Sequence, residues 1–178
     1  MKVENNKLIY AAYGSNLLKE RLMVYIQGGV FQNREYEGCT DKTPPEDLGW
    51  QYVPYRLYFA KHSLRWNNGG VAFLSCEQES DPEHYAVVRL WKISESQFED
   101  INKQEGIWYN TILHIGKKDG FEIKTFTGCW THELHKPCEE YLNIIKAGLK
   151  ETTNWDDKKI DDYISKSFNF KQKKNDYI

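Results

Sequence analysis

The chain has 178 residues, of which 40% are hydrophobic and 15% aromatic, a composition that can bury a real core and excludes a disordered polymer. A net charge of −2 gives no electrostatic case for nucleic acid or an anionic membrane surface, and no apolar run approaches the roughly 20 residues that span a bilayer. Cys39, Cys76, Cys129 and Cys138 are widely spaced and follow no signal-peptide pattern, so they read as reduced thiols and the default location is cytoplasmic.

Leu8 to Tyr13 is a short apolar and aromatic run that predicts a buried strand. It breaks at Gly14-Ser15-Asn16, and a helical pattern of Leu17, Leu18, Arg21, Leu22 and Tyr25 follows. Ser15 or Asn16 can cap that helix, and Gly14 lets the chain turn or a ligand come close. A strand, a tight polar turn and a helix start together present free backbone N–H groups, suited to a carboxylate or phosphate. An ordinary strand-to-helix connection explains the same residues.

Residues 27–50 hold Gly28-Gly29, Gly38 and Pro44-Pro45, which predict a long loop without regular structure, either a lid or a disordered segment. Residues 51–60 alternate polar and aromatic side chains as one strand, with Pro54 at an edge or bulge. SLRWNNGG reads as a turn, and Val71 to Cys76 as a buried strand. Gly69 and Gly70 before it mark a close approach of backbone to another segment or to a ligand. Residues 84–91 form another strand.

Ser94 followed by Gln97 is a capping box, and Gly106 suits a helix end, so a helix runs between them. Phe98, Ile101 and Glu105 fall at i, i+3 and i+7 on one face, which places a carboxylate in line with the apolar stripe. Burial and the negative helix end both disfavour its ionised form, giving the raised pKa that a proton-shuttling carboxylate needs. A Glu105 rotated into solvent at a frayed helix end is the competing reading. Two strands joined at Asp119-Gly120 follow, then a helix led by Pro137 with Tyr141, Ile144, Ile145 and Leu149 on one face. A last helix is capped within Asn154–Asp157, and the polar tail KQKKNDYI reads as solubilising.

Cys129, His132, His135 and Cys138 carry zinc-compatible side chains, but all lie within ten residues, against the two separated pairs usual for zinc; no metal and no cofactor are expected. Tyr10, Tyr13, Tyr109 and Tyr141, each taken alone, suit a core as well as a ligand contact.

Taken together the residues resemble a known family. YAAYGSNL is similar to the signature loop of the γ-glutamylcyclotransferase superfamily, and the similarity continues through Gly69-Gly70-Val71-Ala72 and VVRLWKISESQFEDINKQEG to the helix EEYLNIIKAGLKE. It covers roughly residues 8 to 150. The resemblance implies an α+β fold, a small mostly antiparallel β-barrel flanked by helices, here as a single domain over 1–178 with a C-terminal helix and tail from 154. It implies Glu105 as general acid/base and Tyr10, Ala11, Ala12, Tyr13, Gly14 and Ser15 as the substrate-binding loop. Tyr109 and Tyr141 would contact the substrate. The implied reaction is cyclisation of a γ-glutamyl amide or γ-glutamyl amino acid to 5-oxoproline with release of the amine. The implied partner is thus a small molecule, and a non-catalytic binding module of the same fold is the alternative. The Gly/Pro-rich segment 27–50 sets the chain apart from the glutathione-pathway members and resembles a bacterial branch. Trp50, Tyr52, Trp66 and Trp108 suit either an apolar amine moiety or core packing.

Overall fold

The computed structural model describes residues 6–170. The polar tail 171–178 and residues 1–5 lie outside them.

A five-stranded sheet in the order β4-β7-β1-β9-β8 carries the molecule. Its middle strand is β1 (Lys7–Ala12), antiparallel to β7 (Ala86–Ser94) and parallel to β9 (Phe121–Thr127). β4 (Glu46–Val53) and β8 (Thr111–Lys118) close the two edges. Both faces of β1 are covered, which is why its sequence is continuously apolar rather than alternating. Ile9, Ala11 and Tyr13 join one core cluster with the separate hairpin β5 (Leu57–Ser63) and β6 (Gly69–Leu74) and with α3 (Glu139–Thr153) and α4 (Asp157–Ser167). Leu8, Tyr10 and Ala12 join the other, with α1 (Lys19–Gln27) and α2 (Glu95–Glu105).

Among the described residues the strands do not form a closed barrel; beside the five-stranded sheet stand two hairpins, β5–β6 and a short β2 (Gly29–Phe31) with β3 (Arg34–Tyr36). The reason is visible where β6 meets β9. Leu74 N–H donates to the Thr127 hydroxyl at 2.9 Å, and that hydroxyl donates to Leu74 C=O at 2.7 Å. One side chain stands where a backbone ladder would continue.

Several local expectations need correction. The segment 27–50 is not structureless. After β2–β3 its middle is fastened to α2, where the Gln97 amide donates to the carbonyls of Asp41 and Thr43 and Asp100 accepts from Thr40 N–H, and it ends in β4. Residues 51–60 are not one strand, because Pro54 cannot continue the ladder; β4 stops at Val53 and β5 restarts in another sheet. Cys76 and Cys129 are not thiols but a disulfide, their Cα atoms 5.8 Å apart across the Thr127 junction; Cys39 and Cys138 are free. Sequence separation of 53 residues hid that neighbourhood.

Other signals have direct counterparts. Ser94 and Gln97 form the reciprocal capping box at the start of α2, and Gly106 ends it at φ 101°. Asp119 and Gly120 both take positive φ at the β8–β9 turn. No described helix is long and apolar enough to cross a membrane.

Candidate active site

β1 delivers the chain to the Gly14–Asn16 turn, and β7 and α2 deliver Glu105 to the same place. The turn is not an α-helix start. Ser15–Leu17 is a single 3-10 turn, α1 begins at Lys19 after Leu18, and neither Ser15 nor Asn16 caps it. Asn16 is instead 2% exposed and turned inward. Its side-chain amide donates to Glu105 Oε1 at 3.0 Å and to the Tyr10 hydroxyl at 3.2 Å, while its backbone carbonyl accepts from the Trp91 indole at 3.2 Å. β7 thus holds the Asn16 backbone, while the side chain bridges Tyr10 of β1 and the Glu105 carboxylate of α2.

That carboxylate is half-buried at the wall of a small pocket. Tyr10, Tyr13, Gly14 and Ser15 line it on one side, with Ala72, Tyr109, Phe126 and Tyr141 around the rest. The Tyr13 hydroxyl donates to Phe126 C=O at 2.8 Å. Ala72 is held from both ends: its N–H donates to the Tyr141 hydroxyl at 3.0 Å, and its C=O accepts from the Tyr109 hydroxyl at 2.9 Å. Gly14 sits where a Cβ would come within 3.2 Å of Ala72 Cβ, so any larger residue there would press on this strand. The tyrosines are structural struts and pocket walls at once.

Burial raises the Glu105 carboxyl above its ordinary value, opposed by the positive charges of Arg21 and Arg65 and by hydrogen bonding from Tyr25 and Asn16. The Tyr10, Tyr25 and Tyr141 hydroxyls are all pushed up by desolvation, so they stay protonated and act as neutral hydrogen-bonding groups. Glu105 is thus the carboxyl among the pocket's lining residues, its pKa raised by burial.

Of the residues expected at the site, Glu105, Tyr10, Tyr13, Gly14, Ser15, Tyr109 and Tyr141 meet in this pocket. Ala11 and Ala12 do not line it; both are fully buried within β1, with side chains in opposite core clusters. Gly69 and Gly70 serve another purpose: a Cβ on Gly70 would lie 2.0 Å from His135 C=O, and one on Gly69 would lie 2.6 Å from Cys138 N, so they admit a neighbouring backbone. Trp50 packs edge-on and Tyr52 tilted against Trp155, at ring separations of 5.6 and 6.3 Å, and neither lines the pocket. Asn16, Ala72, Tyr25, Arg21 and Arg65 were not foreseen as site residues. Arg21 is a charged side chain on the apolar face of the helical pattern, which is the signal that would have found it; Asn16 lies in the turn before the helix and gives no such signal.

No protein-family model matches the chain. It is 28% identical to Histone deacetylase 5 of Arabidopsis thaliana over 203 aligned residues, covering 89% of this chain and 30% of that protein, so it spans under a third of that relative's length. It is 30% identical over 155 residues to the γ-glutamylcyclotransferase of Bos taurus, covering 83% of this chain and 73% of that one. A solved γ-glutamyl cyclotransferase structure shares the fold, with a TM-score of 0.65 over 90% of this chain and 88% of that chain at 19% identity. The chain belongs to the γ-glutamylcyclotransferase family.

Proposed function

We propose that this protein cyclises a γ-glutamyl amide, a γ-glutamyl amino acid among them, to 5-oxoproline and releases the amine. The observation that carries the reading is the Asn16–Glu105 hydrogen bond, which holds a carboxylate of raised pKa opposite the Gly14–Ser15 turn.

The glutamyl head would sit between that turn and the tyrosines, with its γ-carbonyl towards the backbone N–H groups of Gly14 and Ser15. Glu105 takes a proton from the α-ammonium, and the freed amine attacks the γ-carbonyl carbon. The new N–C bond closes a five-membered ring, and backbone donors stabilise the oxyanion. As the oxyanion collapses, the old C–N bond breaks and protonated Glu105 gives its proton to the leaving nitrogen. The ring nitrogen's second surplus proton ends on the released amine. Attack is intramolecular, so holding the substrate folded accounts for much of the acceleration, and one carboxylate suffices.

The test is 5-oxoproline release from a panel of γ-glutamyl amides. Glu105→Gln keeps the Asn16 contact in shape but removes the titratable group. Turnover should fall by about 10²–10⁴-fold with the melting transition retained. A γ-glutamyl ligand that raises the melting temperature without any 5-oxoproline would instead make the protein a binding module.

A further inference from the structure

A second chamber adjoins the first and shares with it the wall of Ser15, Glu105, Tyr109 and Tyr141. Its lining adds two arginines, Arg21 on α1 and Arg65 after β5, together with Trp66 and Trp108. Arg21 is 1% exposed and has no carboxylate within ion-pair distance among the described residues. Its Nη2 donates to the Tyr25 hydroxyl at 2.8 Å, but Nε and Nη1 have no hydrogen-bond partner. The guanidinium is otherwise packed on rings, 4.5 Å from the centre of Tyr25, 5.1 Å from Phe31 and 4.9 Å from Tyr36. Arg65, half-buried, lies over the same Tyr36 ring at 4.9 Å and over Trp66 at 5.2 Å.

A buried cation with open donors is costly, and a folded protein retains one where something else completes it. Arg21 is such a group, and with Arg65 lining the same chamber the pair suits an oxyanion, since the planar fork of arginine matches a carboxylate or phosphoryl group with paired donors. The position of the chamber assigns the oxyanion to a particular part of the substrate. With the glutamyl head against Tyr10 and Tyr13 and the reacting amide beside Glu105, the second chamber receives whatever leaves.

The geometry points to Arg21 and Arg65 as a subsite for an oxyanion carried by the leaving amine, such as the carboxylate of an amino acid. This rests on the proposed cyclisation and narrows it: a plain alkylamine would leave the open Nε and Nη1 donors of Arg21 without a partner. Burial and the charges of Arg21 and Arg34 hold the Arg65 guanidinium below its ordinary pKa, the direction expected of a crowded cation that an incoming anion would relieve.

The experiment is calorimetric titration of Glu105→Gln protein, in which ligand is not consumed. The ligands are γ-glutamylalanine, γ-glutamylethylamine, which matches it without the carboxylate, and the γ-glutamyl amide of 2-aminoethylphosphonate. At least one anionic ligand should bind about 10–100-fold tighter than the ethylamine conjugate, the range expected of charge-assisted hydrogen bonds, and the tighter anion identifies the group. Adding Arg65→Gln should reduce that advantage to about threefold or less. Equal affinity for all three, or an advantage indifferent to Arg65→Gln, overturns the subsite while leaving the cyclisation standing. Failure of every ligand to bind removes the glutamyl pocket, and the subsite with it.

Discussion

Arg21 and Arg89 are both buried arginines, 1% and 6% exposed, and their surroundings are opposite. Arg89, on β7, is saturated: it donates to Asp47 at 2.8 Å, to Glu151 at 2.6 Å and to Leu17 C=O at 2.8 Å, with its flat face 4.2 Å from the Trp91 ring. It ties β4, α3 and the 3-10 turn to the central sheet. Arg21 has one phenol and three rings, and donors left over. The same side chain is a fastening in one place and an unfilled socket in the other. What separates them is whether the protein itself supplies the anion.

Replacing each arginine by Met should therefore have unequal consequences. Arg89→Met leaves two carboxylates and a carbonyl without their donor; because both carboxylates are partly exposed, the loss should be about 2–3 kcal/mol in chemical denaturation, below that of a fully buried pair. Tyr141→Phe should cost about 1–2 kcal/mol, since it strips the acceptor from the buried Ala72 N–H. Arg21→Met should stay within about 1 kcal/mol of wild type, because the lost Tyr25 hydrogen bond is offset by removal of an uncompensated charge. If Arg21→Met proved as damaging as Arg89→Met, the distinction between fastening and socket would collapse.

The smallest expected effect has a diagnostic shape. A carboxyl whose pKa is raised by folding costs no stability while it is protonated in both states; the loss grows from the ordinary carboxylate value, where the unfolded chain ionises, up to the elevated one. Glu105→Gln should therefore match wild type in stability below the ordinary carboxylate range. It should become the more stable protein as pH rises from that range up to the elevated pKa. Melting curves across that window check the sign. A variant less stable than wild type at neutral pH would mean that Glu105 is held ionised by Arg21 and Arg65. Removing one of those charges by Arg65→Gln should move the acidic limb of activity to higher pH, because losing a nearby positive charge destabilises the carboxylate and raises its pKa further.

The parts of this architecture that rest on local rules were legible in the chain. The Ser94–Gln97 capping box, the Phe98-Ile101-Glu105 stripe and the Asp119-Gly120 turn each depend on residues a few positions apart. What depended on distant neighbours was not. Nothing near Cys76 announces Cys129, nothing near Pro54 says that the next strand joins another sheet, and Asn16 reads as a cap until α2 brings Glu105 beside it. Arg21 and Arg89 are indistinguishable as letters, each a cation within an apolar pattern. Only the tertiary arrangement shows that one meets Asp47 and Glu151 and the other meets an open chamber.

The central claim, that Glu105 moves the proton in a γ-glutamyl cyclisation, is met most directly by the pH profile of 5-oxoproline release from γ-glutamylalanine. Wild type should show an acidic limb whose midpoint lies above the ordinary carboxylate value, with one amine released for each 5-oxoproline formed, and Glu105→Gln should show neither the limb nor comparable turnover. Equal turnover by the variant, or a wild-type rate with no acidic limb above the ordinary range, would contradict it.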